Sequence, residues 1–398
     1  MQTVSARNVA LLDGIAFAGM FVFGIVMALL GAVMPVLSSR LSFGLDDVGW
    51  LFLVTNGAML ATSVVVGPGI DRYGLKTPLA VGGFLVALAL LLLVNASRFI
   101  ELLPAVACLG VGGGALNAST NTLVADLHED PVRKAAALNM LGVFFGFGAL
   151  ILPFSIGALL SRVGLTALLG ATAALSAGMG LLAALLRFPP AKQAHGWPLA
   201  DMRKFVRLPF VLTLAFLLFF QSGNEFILGG YFATFLAHQL MVPVQTASYL
   251  LAAYWAAIMA SRILLSRVLV RLGPHRIVLG GAVLATIGAW AVAAAQTPAV
   301  AVIGILITGV ALAGIFPTVL GVAGAAFREH SGTVFGILFT AALTGGMTMP
   351  WVAGNLAAAS GLRTVFLLAG ANFAAIAVLS TLSRRLERAV IRRTATVP

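Results

Sequence analysis

The chain has 398 residues, 61% of them apolar and 9% charged, with a formal net charge of +12. Soluble domains run at about 45–50% apolar and about 25% charged, so this composition excludes a water-soluble enzyme of this length, a disordered chain and, with the single cysteine Cys108, a disulfide scaffold. The 44 glycines suit helices that approach closely in lipid. A β-barrel would alternate polar and apolar residues, whereas this chain carries continuous apolar runs.

Twelve runs are long enough to cross a hydrocarbon core of about 30 Å: 9–37, 47–69, 77–96, 100–126, 134–160, 164–186, 208–237, 244–270, 276–295, 298–326, 333–358 and 362–382. The chain is therefore expected to be an all-α membrane protein of twelve transmembrane helices. The first run is too long for the apolar region of a cleavable signal peptide. Short breaks such as "GIDRYGLKT" (69–77), "HEDPVRK" (128–134) and "RLGPHR" (271–276) separate the runs. The one long break, 188–207, holds Pro189, Pro190 and Pro198 and reads as a linker. It divides an N-terminal six-helix bundle, 1–187, from a C-terminal six-helix bundle with a basic tail, 208–398.

Nineteen Lys and Arg residues fall on the N-terminal side of the membrane and four on the other, with Arg262 inside a span. Cations concentrate on the cytoplasmic side of inner-membrane proteins, so both termini are expected in the cytoplasm of a bacterial plasma membrane. The +12 charge thus reflects topology, with membrane lipid as the neighbouring phase and no nucleic-acid partner. A monomer is expected.

The two halves repeat. "DRYG" at 71–74 is echoed by "VRLG" at 270–273, and the glycine-rich stretch from Gly110 by the one from Gly309, both 199 residues on. Gly148 and Pro153 recur as Gly345 and Pro350, 197 residues on. Two six-helix halves related by an axis along the membrane normal imply a carrier that works by alternating access, with its substrate between the halves near midplane.

The 67–79 loop, "GPGIDRYGLKTPL", resembles the G-x-x-x-D-R-x-G-[RK] loop of the major facilitator superfamily, with Leu75 in place of the first basic residue and Lys76 present. That resemblance covers the whole chain and implies the major facilitator fold. It also implies a cytoplasmic gate built from Gly67, Asp71, Arg72, Gly74 and Lys76, with Arg271 in the degenerate echo, where Val270 replaces the acid. The strings "GVGGGALNASTNTLVADL" (110–127), "LNMLGVFFGFGA" (138–149), "GNEFILGGYFATFL" (223–236) and "YWAAIMASRILL" (254–265) further resemble the fucose permease group of sugar–proton symporters. That group carries functional carboxylates in its first and fourth helices. Here Asn117 stands at the fourth-helix position and the first helix has only Asp13, near its end, so coupling through those two positions is not supported.

Polar groups inside spans are costly and face a cavity or a partner. Glu225, mid-way along the seventh span, is the one mid-membrane carboxylate and is taken as the proton-coupling residue, the alternative being a structural carboxyl hydrogen-bonded to Asn224 or a tyrosine. Gln221 and Asn224 lie within one turn of it. Asn117 and Asn121, four apart in the fourth span, with Asn56 and Asn139 in neighbouring spans, supply amides that donate and accept. With Tyr231, Tyr254, Trp255 and Trp351 they form the candidate substrate set, suited to a sugar or polyol; for each, helix packing is the alternative role. Arg262 is the one mid-span cation. Counting along the axes puts it roughly 9 Å from Glu225, so a direct pair is disfavoured and Arg262 is expected to tether helix ends at the cytoplasmic gate.

The sequence thus reads as a secondary transporter of a small polar solute, coupled to protons. The competing readings are an exporter of amphipathic compounds, drugs or lysolipid, and a proton-independent facilitator. All five histidines lie at span ends or in loops, no catalytic cluster falls within a span, and no nucleotide-binding G-x-x-x-x-G-K-[ST] is present. No enzyme, cofactor or metal is expected.

Overall fold

The computed structural model describes residues 6–128, 130–189, 204–327 and 331–395. Most of the 188–207 linker, with Pro190 and Pro198, lies outside the described residues, as do the side chains of Asp71, Asn139 and Arg271 and the surroundings of Gly67. Among the described residues all regular structure is helical. The helices are α1 (Ala6–Leu41), α2 (Leu45–Tyr73), α3 (Lys76–Asn95), α4 (Phe99–Leu127), α5 (Pro131–Leu185), α6 (Pro209–Thr234), α7 (Val244–Leu272), α8 (Pro274–Ala294), α9 (Pro298–Leu312), α10 (Ile315–Ala326), α11 (Ser331–Ser360) and α12 (Arg363–Ala395). A π-helical turn, Phe235–Gln239, extends α6.

Ten described helical segments are long and apolar enough to cross a bilayer. One of them, Met140–Leu185, runs for 46 residues and bends at Gly164 (φ 75°, ψ 166°), so it makes the fifth and sixth crossings. The 29 residues of α2 complete the twelve. The helix ends follow local chemistry. Asp130 caps α5 by accepting from the Arg133 amide at 2.8 Å, with Pro131 in the first turn.

The tenth span departs from the expected continuous helix. It stops at Leu312 and restarts at Ile315, with Ala313 and Gly314 between. Pro317, in the first turn of α10, has no N–H to bond the Ala313 carbonyl, and its ring crowds that carbonyl.

The chain folds as two compact units, Met1–His195 with Pro243–Ala252, and Gly196–Val242 with Ala253–Pro398. In the first, α1 packs on α5, and α3 packs on α4 and α5. In the second, α6 packs on α11, and α8 packs on α9 and α12. The corresponding pairs use corresponding glycines. A Cβ at Gly148 would overlap the Phe21 carbonyl oxygen, and one at Gly345 the Phe219 carbonyl oxygen. Gly110 abuts the Thr55 carbonyl, and Gly309 the Tyr254 ring and carbonyl.

Backbone turns repeat in the same register. Among the described residues the positive-φ positions are Ser42 and Met241, Gly74 and Gly273, and Gly164 and Gly361. Gly74 (φ 84°, ψ 173°) ends α2 and donates its amide to the Ile70 carbonyl at 2.8 Å; Gly273 (φ 74°, ψ 153°) precedes α8. Both occupy a region essentially restricted to glycine, at a cost of about 1–3 kcal/mol for other residues. Gly273→Ala should lower stability by about that amount. Gly280→Ala, inside α8 with nothing within 4 Å of the added Cβ, should be neutral or mildly stabilising. Thermal unfolding of the detergent-purified variants compares the two, and equal melting temperatures would refute the strained-turn account.

Candidate functional site

The second unit contains a buried polar cluster built by α6, α7 and the broken tenth span. Gly229 on α6 lets the Trp255 ring lie against the helix: an added Cβ would fall 3.0 Å from its Cζ2. Tyr254, fully buried, meets Trp255 edge-on with ring centroids 5.4 Å apart. One turn of α6 separates Gln221 from Glu225, and both are buried.

Glu225 Oε1 and Arg262 Nη2 are 3.7 Å apart, with side chains 11% and 33% exposed. This differs from the separation expected from depth along the axes. Axial counting locates the Cα atoms, but the long arginine stem lets the guanidinium reach along the helix to the carboxylate. At 3.7 Å the contact is an ion pair beyond the usual 2.7–3.2 Å hydrogen-bond range. Among the described residues no donor hydrogen-bonds Glu225. The Tyr254 hydroxyl lies within electrostatic reach of both charges.

The helix break supplies acceptors. Carbonyls in the last turn of a helix lack intrahelical partners. The Leu312 carbonyl accepts from Gln221 Nε2 at 3.5 Å, and the Val310 carbonyl accepts from the Ser261 hydroxyl at 2.8 Å. Other polar atoms retain free capacity. Among the described residues the Tyr254 hydroxyl, Trp255 Nε1, Arg262 Nε, Gln221 Oε1 and Thr318 Oγ1 are buried without a hydrogen-bond partner. Buried polar groups are nearly always paired, so these unpaired atoms stand out within the second unit.

The remaining described residues of the candidate set make other contacts. Asn224 points to α12: its amide donates to the Ala369 carbonyl at 3.1 Å, and its oxygen accepts from Asn372 Nδ2 at 3.0 Å. It therefore serves as an interhelical strut. The Tyr231 hydroxyl donates to the Pro350 carbonyl on α11 at 3.0 Å, and Trp351 next to it is half-buried. Asn372 escaped the sequence reading, although a lone amide in the last apolar run was the available signal.

In the first unit Asn121 Nδ2 donates to the Asn117 carbonyl at 2.9 Å and to Asn117 Oδ1 at 3.1 Å, and both side chains are half-buried on α4. Asn56 is fully buried on α2; its Nδ2 donates to the Phe52 carbonyl at 3.1 Å and its Oδ1 is unpaired. At the loop after α2, Arg72 and Lys76 are exposed, and the Arg72 guanidinium lies 5.4 Å from the Tyr73 ring centroid. Asp13 pairs with His128 at the end of α4, at 3.1 Å, a contact that depends on helix rotation and was not legible in the sequence. Among the described residues, no group of three His, Cys, Asp or Glu side chains is placed to hold a metal ion.

Twelve apolar crossings in two repeated units, with a buried charge pair among unpaired polar groups, define a polytopic membrane carrier. The family model described as the Major Facilitator Superfamily matches residues 16–222 and 214–397, and the chain belongs to that superfamily; it is a transporter, not an enzyme. No curated protein sequence matches it significantly. Its fold is similar to solved transporters of low identity. A bacterial homologue of the human lysosomal transporter Spinster, inward-facing and unoccupied, matches with a TM-score of 0.78 at 16% identity over 97% of this chain and 99% of that one. The nucleoside transporter NupG matches with a TM-score of 0.78 at 17% identity over 94% and 99%. The fucose:proton symporter FucP of E. coli matches with a TM-score of 0.63 at 18% identity over 95% and 99%.

Proposed function

We propose that this transporter moves a small polar solute, of the sugar or polyol kind, by alternating access coupled to protons through Glu225. It would do so in a bacterial inner membrane with both termini in the cytoplasm, gated by the loop containing Asp71, Arg72, Gly74 and Lys76. The observation that carries the reading is the Glu225–Arg262 contact, 3.7 Å long and, among the described residues, without a hydrogen bond to the carboxylate, amid unpaired Tyr254, Trp255 and Gln221 polar atoms. A carboxylate held only by charge can accept a proton without breaking a hydrogen-bond network. Protonation then frees the guanidinium to bind a solute oxygen, which couples the two events. The hydroxyl, indole and amide groups offer both donors and acceptors, as a polyhydroxyl solute requires. Two proteins of similar fold are named for a nucleoside and for fucose with a proton, both solutes of this chemistry.

The test uses protein reconstituted in liposomes, with L-fucose, uridine and lysophosphatidylcholine as probes. An imposed pH gradient should drive accumulation of one hydroxylated probe. Glu225→Gln should reduce that uphill accumulation at least about tenfold, equivalent to about 1.4 kcal/mol of lost coupling, while exchange of labelled for unlabelled solute continues. Undiminished gradient-driven accumulation in the variant would sink the proton role. Movement of the lysolipid alone would favour the amphipathic-exporter reading, and uptake indifferent to pH would favour a facilitator.

A further inference from the structure

A second polar site lies at the opposite chemical extreme, on the surface where α8 begins and α12 approaches its end. A cavity of about 240 Å³ is lined by His275, Arg276, Ser380, Thr381, Arg384 and Arg385, with Leu279 at its edge. The local acid is already engaged, because Glu387 pairs with His275 at 2.5 Å. Arg276, Arg384 and Arg385 are exposed and have no carboxylate within ion-pair distance among the described residues. The N-terminus of the 21-residue α8 opens beside them and adds partial positive charge. The cavity therefore concentrates three uncompensated guanidinium groups.

Its surroundings choose the ligand. From the cavity toward the middle of the two helices, the exposed side chains are apolar: Leu279, Val283 and Leu284 on α8, and Leu382 and Val378 on α12, with Val378 68% exposed. A soluble anion would use only the basic end. An anionic phospholipid uses both, with its phosphate among the arginines and its acyl chains along the apolar side chains. Basic pockets between transmembrane helices favour anionic headgroups in this way.

We propose that this is a binding site for an anionic phospholipid, whose phosphodiester is held by Arg276, Arg384 and Arg385. The site is independent of the transported solute, since none of its residues belongs to the Glu225 cluster.

Equilibrium binding of fluorescent phosphatidylglycerol to the full-length protein in detergent micelles tests it, with unlabelled phosphatidylglycerol, phosphatidylcholine and inorganic phosphate as competitors. Phosphatidylglycerol should compete at least about tenfold better than phosphatidylcholine, and phosphate at about 10 mM should compete little, because it lacks the acyl contacts. Combined Arg276→Gln, Arg384→Gln and Arg385→Gln should weaken phosphatidylglycerol binding about a hundredfold, the product of about fivefold per cation. Arg133→Gln, on α5, should leave it unchanged. If the triple variant fails to fold, the salt dependence of the wild-type preference serves instead; screening should erode it as ionic strength rises. Equal competition by the two lipids, full displacement by phosphate, or retained affinity in the folded triple variant would each overturn the proposal.

Discussion

Arg262→Met is expected to destabilise the protein by about 3 kcal/mol, at the low end for breaking a buried ion pair. The cost comes mainly from Glu225, whose side chain is 11% exposed and has Arg262 as its charged partner. Removing the cation leaves the carboxylate without compensation in a low-dielectric interior. The low end applies because Arg262 itself is 33% exposed and the pair, at 3.7 Å, is long. The reverse change, Glu225→Gln, should cost less, since Arg262 is the less buried partner and its long stem can redirect the guanidinium. The two changes together should recover most of the loss, because a neutral amide in place of the Glu225 carboxylate needs no counter-charge. Thermal unfolding of the wild type, both single variants and the double variant in detergent forms a complete cycle. A melting temperature unchanged by Arg262→Met would show that the pair adds nothing to stability.

Span count and architecture were legible because lipid enforces long apolar runs, and the breaks between them carry charge, proline or glycine. The internal repeat was legible for a sharper reason. Gly110, Gly148 and Gly345 lie where another helix's backbone approaches too closely for a Cβ, and Gly309 lies in tight contact with Tyr254, so the residue type itself records the packing. Gly74 and Gly273 record a backbone conformation in the same way.

Pairings across helices were less legible. Whether Glu225 meets Arg262, Asn224 meets Asn372, or Asp13 meets His128 depends on the rotation of each helix about its axis, and an almost uniformly apolar span carries little signal of rotation. The interruption at Ala313–Gly314 had one visible signal, Pro317 in the tenth apolar run, but alanine and glycine there look like ordinary packing residues and do not mark where the helix stops. That interruption matters to the candidate site, because it exposes the Val310 and Leu312 carbonyls to Ser261 and Gln221. The amides expected to bind solute divided accordingly. Gln221 lies one turn from the ion pair, while Asn224 on the adjacent helical face is consumed by packing against α12.

Gly345→Ala should be among the most damaging single-methyl changes in the chain. The added carbon would overlap the carbonyl oxygen of Phe219, and its next neighbours are also Phe219 backbone atoms. A side chain could rotate aside, but backbone in a packed helix cannot, so α6 and α11 must separate. Gly223 on α6 faces the Gly345 carbonyl and Met349, so the strain spreads along the interface. Overpacking typically costs about 1–3 kcal/mol and occasionally more, and a collision of two backbones belongs at or above about 3 kcal/mol. Because α6 also carries Gln221 and Glu225, the displacement should reduce transport even in the fraction that folds. Gly336→Ala tests the argument on the same helix, as its added carbon has nothing within 4 Å and should be tolerated. Gly148→Ala should reproduce the loss in the first unit, where the Phe21 carbonyl plays the part of Phe219. Melting temperatures and yields of folded protein decide between these expectations. Tolerance of both Gly345→Ala and Gly148→Ala would mean that neither close helix approach is required, and with it would go the packing explanation of the repeat.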